Sequence, residues 1–281
     1  MIYKSYSKIN LYLDILSVRS DGYHELDMVM VPLMFHDELH IEINNLGADK
    51  ITCPGFNKQT IKHNTVYKAL EILRRTYGFK ETFTIDIIKN IPSQAGLGGG
   101  SSNAATLINA VVSILKIDAS EEELIAVAKK VGADVPFFLK VEPARVRGIG
   151  EQLEHIKIIT NPYVLLVKPE IGLSTAKMYK LSDTLEPVHG EIHKLLNALK
   201  EDSTKQVGLN LFNALEQPAF ITAPIVKKLK EKMKQLGFDG VLMTGSGSTV
   251  FGITEDESIV NKAHEIFKKE GIWSKKTKFK L

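Results

Sequence analysis

The stretch Pro92-Ser93-Gln94-Ala95-Gly96-Leu97-Gly98-Gly99-Gly100-Ser101-Ser102 decides the reading of this chain. Before it, residues 83–88 are apolar and β-branched and read as a strand. After it, from Ser102 onward, Ala104, Leu107, Ile108, Val111, Val112 and Leu115 recur at helical spacing and put one apolar stripe toward a core. Glycines between a strand and a helix let backbone amides approach a ligand closely. The helix start adds unpaired N–H groups at the positive end of its dipole, so the junction suits phosphates. A bare flexible linker needs neither that glycine density nor a helix at its edge. No Lys-Ser or Lys-Thr follows the glycines, and the spacing G-x-G-x-x-G is not met. The stretch is therefore neither a Walker A loop nor a dinucleotide fingerprint.

Working outward, residues 7–15, 27–35 and 38–44 read as early strands, with a helix near 64–77. Ser120 with Glu123 forms a capping-box signature ahead of Leu124, Ile125 and Ala128, and Gly132 can stop that helix. Gly132-Ala133-Asp134-Val135-Pro136 then reads as a turn. A strand is expected over 163–167. Further on, Pro224 starts a helix with Ile225, Leu229, Met233 and Leu236 on its buried face and Gly237 as its stop. Two short strands, 241–243 and 249–253, flank Gly245-Ser246-Gly247. Strands and helices mix without a regular βαβ alternation or an internal repeat, which points to an α+β fold. At 281 residues the chain suits two domains, 1–155 and 156–281.

The 44% hydrophobic and 25% charged content is that of a folded globular chain rather than a disordered one. Six Lys and one Glu in the last fourteen residues supply +5 against a chain total of +3, so the remainder sums to −2. That body lacks the basic face non-specific nucleic-acid binding needs, and no nucleic-acid partner is expected. In the tail Trp273, Thr277, Phe279 and Leu281 alternate with Ser274, Lys276, Lys278 and Lys280, which reads as an edge strand guarded by lysines. Cys53 is the only cysteine, so no intrachain disulfide can form. Asp14 and Arg19 stand where a signal peptide would need an apolar run, and no stretch reaches about 18 apolar residues. A cytoplasmic protein without membrane contact is expected. His189-Gly190-Glu191-Ile192-His193 places two His four apart, as on one helix face, but offers no third ligand and does not match H-E-x-x-H. It reads as a solvated helix face.

Three stretches in this order and spacing, Ser7-Lys8-Ile9-Asn10-Leu11, Pro92 to Ala105, and Thr244-Gly245-Ser246-Gly247-Ser248-Thr249, resemble the motifs of the GHMP kinases. Asp21-Gly22-Tyr23-His24-Glu25, Gly98-Gly99-Gly100-Ser101-Ser102-Asn103 and Gly132-Ala133-Asp134-Val135-Pro136-Phe137-Phe138 resemble one branch of that family. Its substrate is a small alcohol carrying a cytidine diphosphate, on the isoprenoid precursor route independent of mevalonate. The resemblance spans almost the whole chain. It implies a ribosomal-protein-S5-like N-terminal domain with the ATP-binding and catalytic groups, a ferredoxin-like C-terminal domain contributing to substrate binding, and an active site between them. ATP is then the phosphate donor and Mg²⁺ its companion.

By the same resemblance Asp134 is the base that takes the hydroxyl proton, and Lys8 orients the hydroxyl and stabilises developing charge. Asn10, two residues along the strand from Lys8, shares its face and is a candidate for substrate contact or for backbone pairing. Tyr23 and His24 are implied to contact the cytidine group. Thr175 stands near the substrate and Tyr179 on the opposite face of the base, where relatives often carry Phe. Ala176 replaces a Pro common beside the threonine, and an amphipathic helix start explains this stretch as well. Pro92, Gly96, Leu97, Gly98, Gly99, Gly100, Ser101, Ser102, Gly245 and Ser246 are the implied ATP-binding set, with Ser101 or Ser102 the candidates to touch Mg²⁺. Asn64 and Lys89 fall where the family approaches the adenine, although Asn64 also suits a helix cap and Lys89 a strand-end charge. Two other readings remain: a GHMP kinase for another small alcohol, and a catalytically silent member that only binds ligand.

Overall fold

The computed structural model describes residues 1–57 and 59–281. In chain order the elements are β1 (Ile2–Val18), β2 (His24–Asn44), β3 (Lys50–Thr52), a 3₁₀ turn (Ile61–His63), α1 (Thr65–Tyr77), β4 (Thr82–Ile88), α2 (Gly99–Leu115), α3 (Glu121–Val131) and α4 (Phe137–Lys140). There follow β5 (Ala144–Gly148), β6 (Gln152–His155), β7 (Tyr163–Lys168), α5 (Thr175–Ser182), α6 (Ile192–Ala198), α7 (Thr204–Leu209), β8 (Phe212–Asn213) and α8 (Glu216–Thr222). The chain closes with α9 (Pro224–Gln235), β9 (Gly240–Met243), β10 (Val250–Thr254), α10 (Glu257–Lys269) and β11 (Trp273–Lys278). It forms two compact units: Met1–Ser7, Phe35–Pro92 and Gly98–Val141 make the first, and Lys8–Met34, Ser93–Leu97 and Glu142–Leu281 make the second.

In the first unit β2 pairs antiparallel with β4 from Glu38 opposite Ile88 to Asn44 opposite Thr82, and β3 joins β4 in parallel. Helices α1, α2 and α3 pack on one another. Val66, Ala69, Leu70 and Leu73 of α1 and Ala104, Leu107, Ile108 and Val111 of α2 are almost completely buried, so the helical periodicity of the sequence became the helix–helix core. Asn64 starts α1, its Oδ1 accepting the Val66 amide at 2.8 Å, and Gly78 ends it at φ 71°. The Ser120–Glu123 capping box forms in both directions, at 3.2 and 2.9 Å.

Two expectations change here. Residues 27–35 and 38–44 belong to one 21-residue strand, β2, rather than two. Asp37 breaks the apolar pattern without breaking the strand, because its fully buried carboxylate finds donors in the Asn90 and Ile91 amides, each at 2.7 Å. Helix α2 begins at Gly99, inside the glycine run, not at Ser102. The Ser102 amide already donates to the Gly98 carbonyl at 2.9 Å, so Gly99 to Ser101 form the first turn.

In the second unit β5 pairs antiparallel with Leu26–Met30 of β2 and with β6, and β8 lies parallel to β1 at Tyr12 and Leu13. A separate four-stranded antiparallel sheet runs in the order β11-β7-β10-β9, with α9 and α10 packed on it. Val164, Leu165, Leu166 and Val167 of β7 have no exposed surface, which explains a continuous apolar run where a half-buried strand would alternate. Helix α9 begins with Pro224 at its first position, as expected. The tail is the expected edge strand: among the described residues β11 pairs with β7 alone, and Lys275 and Lys276 are exposed. Beyond it, Phe279 is buried opposite Leu33 and the Lys280 amide donates to the Pro32 carbonyl at 2.8 Å.

The His189–His193 reading needs correction. Helix α6 starts only at Ile192, so the two rings share no helix face. His189 Nδ1 instead lies 3.0 Å from Oδ1 of the buried Asp14, whose other oxygen accepts from Tyr12 Oη and the Gly190 amide. Burial, with Asp14 alongside, pushes the Tyr12 hydroxyl well above its ordinary range. No group of three His, Cys, Asp or Glu that could hold a metal occurs among the described residues, and no helix among them is long and apolar enough to cross a membrane.

Candidate active site

Three distant stretches of the second unit meet around Lys8. Alternation along β1 sends Lys8 and Asn10 to one face, and Lys8 Nζ donates to Asn10 Oδ1 at 2.6 Å with both side chains buried. The Lys8 amide donates to the Leu97 carbonyl at 3.0 Å, and the Asn10 amide donates to Thr244 Oγ1 at 3.0 Å. Thr244 Oγ1 in turn donates to the Gly96 carbonyl at 3.3 Å. Gly96 could carry no side chain: at φ 73° an added Cβ would fall 2.1 Å from the Thr244 carbonyl oxygen. The loop around Gly245 is held by Asn213, whose Nδ2 donates to the Met243 and Gly245 carbonyls at 2.7 and 2.9 Å. The predicted residues Lys8, Asn10, Gly96, Leu97 and Gly245 are thus brought together, on backbone that accepts no bulk.

The same third stretch reaches the substrate-side candidates. Thr175, first residue of α5, and Ser246 share a hydrogen bond of 2.8 Å. The segment leading to α5 is tied down by Ser248 Oγ, which donates to the Ile171 carbonyl at 2.5 Å. Lys168 lies buried at its start, its Nζ donating to the Pro169 carbonyl at 2.9 Å, and burial lowers the ammonium from its ordinary value. His24 opens β2 after a turn in which Asp21 Oδ1 accepts the Tyr23 amide at 3.0 Å; that bond, with Arg19 nearby, holds the Asp21 carboxyl below the usual carboxylate range. Tyr23 projects with 59% of its surface exposed. The His24 ring stacks on Tyr179, centroids 4.7 Å apart and planes at 27°, so one face of Tyr179 is taken by imidazole. His24 Nε2 lies 2.7 Å from Asp183 Oδ1.

In the first unit Gly98, at φ 70°, caps α2, and Gly99, Gly100, Ser101 and Ser102 present its first turn. A buried polar network lies along it. Asn103 Nδ2 donates to Ser5 Oγ at 2.8 Å and to Asp37 Oδ2 at 3.0 Å, while Ser5 Oγ donates to Ser102 Oγ at 2.8 Å. Lys89 Nζ donates to Asn103 Oδ1 at 3.0 Å and pairs with Asp37. The strand-end charge of Lys89 is therefore matched by a buried acid, and Asn64 serves as a helix cap whose neighbour Thr65 donates to the Gly100 carbonyl at 2.7 Å. Asp134 sits half-buried in the turn between α3 and α4, where the Val135 amide donates to the Gly132 carbonyl at 3.1 Å. Buried Val135, Phe137 and Phe138 pin that turn.

Sequence reading missed Asp37, Asn213 and Asp183. Asp37 offered a signal, a carboxylate inside an apolar strand pattern. Asn213 and Asp183 offered none, since their partners lie 30 and 159 residues away.

Comparison with known proteins accords with this geometry. Residues 64–140 match the family model for the GHMP kinases N terminal domain, and residues 181–272 that for the GHMP kinases C terminal domain. The chain is 37% identical over 269 residues to the 4-diphosphocytidyl-2-C-methyl-D-erythritol kinase of Clostridium novyi, covering 95% of this chain and 96% of that one. It is 39% identical over 260 residues to the kinase of the same name from Clostridium kluyveri, with 91% of each chain covered. A crystal structure of 4-(cytidine 5'-diphospho)-2C-methyl-D-erythritol kinase superposes with a TM-score of 0.83 at 30% identity over the whole of both chains. The mevalonate kinase of Methanococcus jannaschii shares the fold, at a TM-score of 0.77 and 17% identity over 100% of this chain and 98% of that one. By fold, motif and sequence alike, the chain belongs to the 4-diphosphocytidyl-2-C-methyl-D-erythritol kinase family of the GHMP kinases.

Proposed function

We infer that this chain transfers the γ-phosphoryl group of ATP to the 2-hydroxyl of 4-diphosphocytidyl-2-C-methyl-D-erythritol. The observation that carries this is the meeting of Lys8 and Asn10 with Gly96, Leu97 and Thr244, three motif stretches remote in sequence. Phosphoryl transfer asks little covalent chemistry of a protein; it asks for positioning, charge neutralisation and a proton acceptor. Asp134 takes the proton as the hydroxyl oxygen attacks the γ-phosphorus and the bond to ADP breaks. Lys8, held by Asn10, orients that hydroxyl and offsets the charge that develops. Pro92, Gly96–Gly100, Ser101, Ser102, Gly245 and Ser246 receive the phosphates, with Asn64 and Lys89 toward the adenine. Tyr23, His24, Thr175 and Tyr179 receive the cytidine group. On this reading residues 1–155 carry nucleotide binding and catalysis, residues 156–281 contribute to substrate binding, and the protein works in the cytoplasm.

The Ser101 and Ser102 hydroxyls at the glycine turn suit a hydrated Mg²⁺ carried in by the nucleotide, which keeps mostly phosphate and water oxygens as ligands. Ser101 and Ser102 are the side chains that would touch it, and the ion would neutralise phosphate charge. ATP consumption with Mg²⁺ is the test, comparing the cytidine compound with mevalonate, homoserine and galactose. Turnover with the cytidine compound alone is expected; turnover with another of these alcohols, or with none, overturns the assignment. Asp134→Ala should lower kcat about a hundredfold or more while the affinity for ATP stays nearly unchanged. Normal turnover in that variant would remove Asp134 as the base.

A further inference from the structure

Helix α5 and the residue that caps its C-terminus present to His24 two groups one turn apart. Tyr179 offers its ring face at 4.7 Å and fixes the plane of the imidazole. Asp183, whose amide donates to the Tyr179 carbonyl at 3.1 Å, offers a carboxylate oxygen 2.7 Å from Nε2. The His24 side chain is only 12% exposed and Asp183 38%, so the contact is sheltered on the histidine side and open on the carboxylate side. A carboxylate can only accept a hydrogen bond, so Nε2 must carry the proton. In the neutral ring this leaves Nδ1 with its lone pair. No described residue takes up Nδ1. A ring held in plane, with one nitrogen tied to a carboxylate and the other left as an acceptor, reads a donor on its ligand.

We propose that Asp183 is a positioning residue for nucleobase selection: it locks His24 in the Nε2–H form, so that Nδ1 accepts from the exocyclic amino group of a cytosine and disfavours the carbonyl that uracil presents there. The proposal rests on the cytidine substrate inferred above and deepens it. Cytosine donates at that position and uracil accepts, so the tautomer decides the sign of the contact. Without Asp183 the ring can carry its proton on either nitrogen, and the preference weakens.

Imidazole ¹⁵N NMR at about pH 8 reads the tautomer directly in the intact protein. The wild type should show His24 protonated on Nε2, and Asp183→Ala a mixture of forms. In kinetics, Asp183→Ala should raise KM for the cytidine compound about tenfold, the equivalent of one good hydrogen bond, with kcat and KM for ATP nearly unchanged. It should also narrow the preference for the cytidine over the uridine analogue. Asp183→Asn, which keeps an acceptor oxygen, should recover most of the loss, and Asp183→Ala added to His24→Ala should cost nothing more. A wild-type ring protonated on Nδ1, or an unchanged KM and base preference in Asp183→Ala, overturns the role of Asp183. Failure of the substrate assignment shows separately, as a wild type with the expected ring signature that does not turn over the cytidine compound.

Discussion

At the level of single residues, the candidate site is made of polar side chains that hold backbone in place. Asn213 is buried and uses both its donors and its acceptor oxygen: Nδ2 donates to the Met243 and Gly245 carbonyls, and Oδ1 accepts the Leu215 amide at 2.9 Å. Asn213→Ala strands three backbone groups at once. It should lower stability by about 1–3 kcal/mol in urea unfolding and reduce kcat/KM, because the loop that carries Gly245 and Ser246 loses its anchor. Retained stability with normal kinetics would show the loop to be self-supporting. Lys8, Asn10 and Asp134 stood out in the sequence through the motifs that contain them. Asp37 was legible only as an anomaly, because a buried acid in a strand gains its meaning from the Lys89, Asn103 and backbone partners around it.

Among the elements, helices were the most readable, since caps and periodicity are local. Asn64, Ser120 and Pro224 act where their chemistry predicts. Strand limits were less so: β1 and β2 run longer than their apolar cores because ladder bonds, not side chains, extend them. The α10–β11 contact offers a pH test. His264 Nδ1 lies 2.8 Å from Ser274 Oγ, and burial, with Lys276 nearby, lowers its pKa from 6.5. The unfolded chain therefore takes up a proton on this ring before the folded one does. Stability present above pH 6.5 is lost as pH falls through the lowered folded value. The urea midpoint should drop on acidification below pH 6.5, and His264→Gln should flatten that part of the profile. An identical slope in both proteins would place the acid sensitivity elsewhere.

For the whole molecule, the lysine-rich tail is a structural part of the second unit rather than an appendage. β11 shields β7, Phe279 is buried opposite Leu33, and Lys278 Nζ sits 3.8 Å from the Tyr163 ring centroid. Removing residues 273–281 should expose a largely apolar strand edge, lower the unfolding midpoint and drive aggregation in light scattering. A truncated chain that stays monomeric and as stable as before would refute that account. The linear sequence by itself determined the class of fold, helices α1, α2, α3 and α9, the glycine turn and the family, because capping, periodicity and motif spacing are written over a few neighbouring residues. Only the tertiary structure decided that Asp37 answers Lys89, that Asn213 holds the Gly245 loop, that His189 leaves the helix for Asp14, and that Asp183 and Tyr179 grip His24. Each of those pairings joins residues far apart in the chain, and a buried polar group shows its role only once the fold has supplied the partner that makes burial tolerable.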